Sequence, residues 1–183
     1  MLRIISGKYG GRKINQPSEQ ITRPTTDKVR EAVFSSIHFN LEDSIVLDLF
    51  SGSGAWSIEA VSRGAMKAIA VEKNRSAFSI IKSNLELLKI NNIDLYNEDA
   101  NKFLDSKKGI EVDFIFMDAP YVEYELINTL LNKIKEYKTL KSNGVIIIET
   151  DNPDLISLPK DFIIQKQKKY GKIHILYIVE FTN

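Results

Sequence analysis

From Ser44 onward, short and continuously apolar runs alternate with stretches whose apolar residues recur every three or four positions. Residues 45–50, 68–72, 93–96, 113–118 and 145–150 have the length and β-branched content of buried strands. Residues 55–62, 74–89, 100–104 and 124–137 read as helices. In the second of these, Ala77, Ile80, Ile81, Asn84, Leu85 and Leu88 fall on one face. Strands that are apolar throughout and alternate with helices imply a mostly parallel sheet covered on both sides. The last twenty-two residues differ. Residues 162–169 and 172–181 flank Tyr170 and Gly171 with no helix between them, so the sheet should close on an antiparallel hairpin.

Ahead of this α/β pattern, residues 2–6 and 12–16 are strand-like and separated by Gly7, Gly10 and Gly11, which predicts a small N-terminal β-hairpin. Thr25, Thr26 and Asp27 can accept the free N–H groups at a helix start. Val29, Val33, Phe34 and Ile37 then carry that helix to about His38. The expected organisation is a single domain, with residues 1–22 as a hairpin extension and residues 23–183 as an α/β core.

Composition narrows the setting. Among 183 residues there is no cysteine, which excludes disulfides and thiolate metal sites. His38 and His174 lack neighbours at metal-ligand spacing, so no metal is expected. The N-terminus lacks the apolar stretch of a signal peptide, and no run nears the roughly 18 apolar residues of a membrane span. A soluble, cytoplasmic protein is expected. The net charge of +1 conceals an asymmetry. Residues 1–30 hold seven Lys or Arg against two acidic residues, and residues 160–175 hold five Lys against Asp161. Two basic chain ends on one face would bind phosphates; on separate faces they would be ordinary solvated surface.

Candidate chemistry sits at the strand ends, where doubly wound sheets bind ligands. The first sheet strand runs into Asp48-Leu49-Phe50-Ser51-Gly52-Ser53-Gly54, and Glu72 ends the next one. Glycines allow a tight turn and close approach to a ligand, and a carboxylate at Glu72 can accept from two ribose hydroxyls. This predicts an adenosine-containing cofactor, either a dinucleotide or S-adenosylmethionine. The fourth strand ends in Asp118-Ala119-Pro120-Tyr121. A carboxylate and a carbonyl there could accept both N–H bonds of a conjugated amine and favour a pyramidal nitrogen. Tyr121 offers a face for a splayed base, worth about 1–3 kcal/mol. The same residues could instead be a strand-end turn and a cover over the core.

Together these segments resemble the class I methyltransferases with an (Asp/Asn)-Pro-Pro-(Tyr/Phe) motif, and among them the D-type 16S rRNA guanine-N2 methyltransferases, which modify small-subunit rRNA. The resemblance rests on RPTTDKVRE (residues 23–31), LDLFSGSGA (47–55), EAVSRGA (59–65), VEKNR (71–75), Asp99-Ala100 with Phe103-Leu104, the DAPY turn and QKKYGK (167–172). It implies a Rossmann-like, seven-stranded fold and S-adenosylmethionine as cofactor. It also implies methylation of a guanine N2 amine in 16S rRNA, within a partly or fully assembled small ribosomal subunit, by a monomer. Gly52 and Gly54 would cradle the methionine portion, with Asp48 and Lys73 beside the pocket. Glu72 would hold the ribose, and Asp99 with the Ala100 backbone the adenine. Arg23, Thr25 and Thr26 would lie over the pocket. Asp118 and the Ala119 carbonyl would orient the amine, with Pro120 fixing the turn and Tyr121 stacking on the base. Arg3, Lys8, Arg12, Lys13, Arg30, Lys168, Lys169 and Lys172 would grip RNA.

Two departures stand out. Ala119 replaces the first proline of the motif, a loosening of about 0.4–1 kcal/mol that should slow the reaction only a few-fold. Trp56 stands where a smaller side chain is usual, and its expected role is packing. Other readings of the same residues are methylation of another planar amine (adenine N6 in DNA or a glutamine side chain), a nicotinamide-dependent oxidoreductase, and a noncatalytic RNA-binding protein.

Overall fold

The computed structural model describes residues 1–18 and 25–181. Strands β1 (Leu2–Arg3) and β2 (Lys13–Ile14) form the expected hairpin. Its turn is pressed onto the core so closely that a Cβ at Gly7, where φ is +82°, would lie 1.8 Å from the Ser62 carbonyl oxygen. Ile4 and Ile14 are buried in the same cluster as Val33 and Phe34. The expected boundary between residues 22 and 23 falls outside the described residues.

Helix α1 (Asp27–Ser36) starts as its sequence predicts, with the Thr26 hydroxyl accepting the Val29 N–H. It ends two residues short of the expected His38. Ile37 leaves the helical region at φ −109°, ψ 5°, after the Ser36 hydroxyl has bonded back to the Val33 carbonyl. A separate single turn follows as α2 (His38–Leu41).

The main sheet alternates with helices as follows: β3 (Ile45–Asp48), α3 (Ala55–Ser62), β4 (Lys67–Val71), α4 (Arg75–Leu88), β5 (Ile93–Tyr96), α5 (Ala100–Ser106), β6 (Val112–Met117), α6 (Tyr124–Glu136) and β7 (Leu140–Thr150). A short 3-10 turn (Pro153–Leu155) leads to β8 (Phe162–Tyr170) and β9 (Ile173–Glu180). The seven strands lie in the order β5-β4-β3-β6-β7-β9-β8. The first five are parallel, and β9 is antiparallel to both β7 and β8. One apolar layer contains the hairpin, α1, α3 and α4; α5 and α6 form the other.

Strand β7 begins five residues before the expected Val145. Leu140 pairs with Val112, and the ladder resumes at Phe114 with Val145 after a register shift. The intervening Lys-Ser-Asn-Gly reads as a turn, and Asn143 does adopt φ +64°, but the flanking pairs hold it in the strand as an irregularity.

Helix α3 is buried over its whole length, so its polar residues must be paired. Glu59 accepts the Ile5 and Ser6 backbone N–H groups at 2.8 and 3.0 Å and the Arg63 Nε at 2.7 Å. Arg30 lies 3.7 Å from the same carboxylate, donates to the Arg3 carbonyl at 2.5 Å and pairs with Asp27 at 3.0 Å. This corrects one expectation: Arg30 is only 1% exposed, and its charge stitches the hairpin to the core rather than facing RNA. Asn84 makes a second stitch. It exchanges two hydrogen bonds with the Asn15 backbone and donates to the Ser53 carbonyl in the glycine turn.

Candidate active site

The strand order reverses between β3 and β6, and the chain leaves both at the same edge of the sheet. A cavity of about 560 Å³ opens there, within the usual size of small-molecule sites. It is lined by the 49–53 turn, Glu72 and Lys73 after β4, Asp99 and Ala100 at the start of α5, and all four residues of the 118–121 turn. Glu72 and Asp118, predicted from separate motifs, therefore share one cavity.

Local chemistry explains how each wall is held. The turn after β3 uses positive φ at Gly52 (+54°) and Gly54 (+81°), and the Glu72 carboxylate braces it. Its Oε2 accepts the Gly52 N–H at 2.8 Å and its Oε1 the Asn74 N–H at 2.7 Å. A carboxylate has about four lone-pair sites, so Glu72 retains acceptor capacity for a ligand. Asp99 caps α5 through Oδ1, accepting from Asn101 and Lys102. Thr26 is the cap of α1 and exposed, and it does not line the cavity. Arg23 lies outside the described residues.

Asp48 stands behind the turn rather than in the wall. It is fully buried, and Ser57 donates to its Oδ2 at 2.8 Å. Burial lifts its carboxyl to about 7, against the opposing hydrogen bonds from Ser57, Ser51 and the Phe50 backbone. A carboxyl raised above its unfolded value contributes stability that is complete below pH ~4 and is lost as pH rises through about 7. Urea midpoints should therefore fall between pH 5 and pH 8, and the fall should be shallower in Asp48→Asn. An identical slope in the variant would refute this role.

The 118–121 turn carries a denser polar cluster. Thr25 Oγ1 lies 2.6 Å from Asp118 Oδ2 and 2.8 Å from Glu149 Oε2. Tyr121 donates to Glu149 Oε1 at 2.9 Å, and Trp56 Nε1 donates to Asp118 Oδ2 at 3.1 Å. A hydroxyl has one proton and cannot donate to two carboxylates at once, so one carboxyl must supply the second proton. In keeping with this, burial and then the facing charge of Glu149 raise Asp118 to about 8, despite the hydrogen bonds from Thr25 and Trp56. Glu149 was not singled out in the sequence. The signal was available, since it lies next to the last residue of β7 and one position beyond Ile148, the partner of Met117, and so neighbours Asp118. Trp56 packs as expected, 4.9 Å from Phe116 and 5.6 Å from Phe34, but it also reaches the cavity. Leu2 and Gln16 of the N-terminal segment complete the wall.

The lining suits a cationic nucleoside better than a dinucleotide. Four carboxyl groups (Glu72, Asp99, Asp118 and Glu149) face the cavity against the single cation Lys73 among the described residues. They can accept from hydroxyls and amines and attract a sulfonium, whereas a pyrophosphate would be repelled. The donor and acceptor set thus fits S-adenosylmethionine.

Of the expected RNA-contacting residues, Arg3, Lys8, Arg12 and Lys13 are exposed on the hairpin, and Lys168, Lys169 and Lys172 on β8 and its turn. Leu2 and Tyr9 of the hairpin and Tyr170 of β8 pack against the same apolar layer, so the hairpin and the Lys168 face of β8 border one side of the sheet, while Lys169 alternates to the other.

Strand order, glycine turn and strand-end carboxyls together define a class I methyltransferase fold. The chain belongs to the family described as conserved hypothetical protein 95, whose model matches residues 2–179. It is 38% identical over 176 residues to YlbH of Bacillus subtilis, provisionally named an rRNA methyltransferase, covering 93% of this chain and 94% of that one. It is 34% identical over 176 residues to ribosomal RNA small subunit methyltransferase D of Buchnera aphidicola, covering 96% and 92%. A solved Escherichia coli structure, provisionally described as the methyltransferase yhhF, superposes with a TM-score of 0.88 at 30% identity, covering 97% and 96%.

Proposed function

We propose that this chain methylates ribosomal RNA with S-adenosylmethionine, and that its target is the exocyclic N2 amine of a guanine in 16S rRNA. The observation that carries the reading is the single cavity shared by the Glu72-braced glycine turn and the Asp118-Ala119-Pro120-Tyr121 turn. The names of the Bacillus and Buchnera relatives support the rRNA substrate, and the amine-accepting turn supports an exocyclic nitrogen.

When bound, S-adenosylmethionine supplies an electrophilic methyl group. Glu72 holds the ribose hydroxyls, Asp99 and the Ala100 backbone the adenine, and Gly52 and Gly54 let the main chain approach the methionine portion. Asp118 and the Ala119 carbonyl accept the two amine N–H bonds and direct the nitrogen lone pair. Tyr121 stacks on the guanine while its hydroxyl stays anchored on Glu149. Exposed cations of the hairpin and β8 engage phosphates of the RNA, presented in a partly or fully assembled small ribosomal particle to a monomeric enzyme.

Incubation with labelled S-adenosylmethionine and immature small ribosomal particles, plasmid DNA or a release factor tests this directly. Label should enter 16S rRNA at a guanine N2. Label in DNA or protein but not in rRNA would transfer the turn to another planar amine. Tight NAD binding with no heat from S-adenosylhomocysteine would remove the methyltransferase reading altogether.

A further inference from the structure

Asp118 is followed by alanine, so its backbone lacks the restriction that a following proline would impose. Its carboxyl is held from the side instead. Both hydrogen bonds fall on Oδ2, from Thr25 Oγ1 at 2.6 Å and from Trp56 Nε1 at 3.1 Å, and Oδ1 is left for the cavity. The two partners are not equivalent. A threonine hydroxyl can donate or accept, whereas an indole N–H can only donate. The Trp56 ring is itself fixed in a three-ring cluster with Phe34 and Phe116.

We propose that Trp56 is a positioning residue that dictates which atom of residue 118 meets the amine, so that this site accepts a carboxyl there and rejects an amide. The inference rests on the reading of Asp118 as the amine acceptor. An amide at 118 would have to turn its oxygen towards the indole N–H, which places its NH₂ in the cavity, donor against donor. A carboxyl has no such conflict: Oδ2 accepts from Trp56 whether or not it carries the proton shared with Thr25, and Oδ1 accepts in both states.

The consequence is a reversal that simple packing cannot produce. Asp118→Asn should lower kcat about 100-fold. Trp56→Phe keeps a ring packed against Phe34 and Phe116 and should lower kcat about tenfold, with little change in KM for S-adenosylmethionine. In the double variant the amide is free to turn, its NH₂ donating to Thr25 Oγ1 and its oxygen facing the cavity. Trp56→Phe/Asp118→Asn should therefore be about tenfold more active than Asp118→Asn alone. A double variant equal to or worse than Asp118→Asn, in a wild-type background that does methylate rRNA, overturns the proposal while leaving the function intact.

A second readout needs no turnover. Trp56 is the single tryptophan of the chain, so its indole N–H gives one assignable NMR resonance. That resonance should move with pH as Asp118 titrates near 8, and the movement should vanish in Asp118→Asn. Glu149 and Asp48 are the other acidic groups that act on Asp118, and Glu149→Gln should displace the midpoint without abolishing it. An indole resonance that stays in place when Asp118 is replaced by alanine, or that titrates unchanged in Asp118→Asn, overturns the proposal whatever the enzyme's substrate proves to be.

Discussion

Glu59→Ala is expected to destabilise the protein by about 3–5 kcal/mol, because it removes the carboxylate from an enclosed group of charges, takes the ion-pair partner from Arg63 and leaves the buried guanidinium of Arg30 with Asp27 alone. Glu59 is fully buried and Arg30 nearly so, and the Ile5 and Ser6 N–H groups lose their acceptor in the same step. Against a total stability of about 5–15 kcal/mol this is a large fraction. The hairpin should detach first, since Glu59 holds its backbone, so limited proteolysis should cut within the first sixteen residues well below the unfolding midpoint. Leu2 and Gln16 line the cavity, so affinity for S-adenosylhomocysteine should fall with hairpin docking. An unchanged urea midpoint would show that the ion cluster is dispensable.

Glu72→Ala should weaken S-adenosylhomocysteine binding about 100-fold or more, as judged by calorimetry. Two hydrogen bonds from ribose hydroxyls to a charged acceptor are worth about 1.5–3 kcal/mol each. The substitution also orphans the Gly52 and Asn74 N–H groups, which now converge on the two oxygens of Glu72. The glycine turn should loosen, so the loss of affinity should exceed that in Glu72→Gln, whose side-chain oxygen can still accept one of the backbone N–H groups. Equal affinities in the wild type and Glu72→Ala would remove Glu72 from the cofactor site.

The fold was legible in the sequence because its elements obey local rules. Helix α3 begins after the glycine turn and ends at the expected Ser62, and β5 spans the expected residues 93–96. What escaped were features set by distant partners. The start of β7 depends on Leu140 pairing with Val112, and the sequence there spells a turn. Arg30 looked like one more cation in a basic segment; only the fold brings Glu59, twenty-nine positions away, against it. Asn84 was read as part of an apolar helix face, and it lies there as a buried bridge to Asn15 and Ser53. In the candidate site, the strand-end rule found Glu72 and Asp118. Glu149 obeys the same rule but lacks a flanking motif to draw attention to it. Trp56 shows the limit of residue type as a guide, because its stacking was foreseeable and the partner of its N–H was not.

The outermost strand of the sheet, β8, has one further consequence. From Ile163 to Lys169 every residue is solvent-exposed, so both of its faces are wet and its attachment rests mainly on the ladder to β9. With so little apolar area holding it, this strand should open at a small fraction of the global unfolding free energy, and its amides should exchange with deuterium well before those of β6 or β7. Its lysines also discourage a second copy from adding to the open edge. A ribbon that is both yielding and positively charged can bend to follow the contour of a folded polyanion without disturbing the rigid sheet that holds the chemistry.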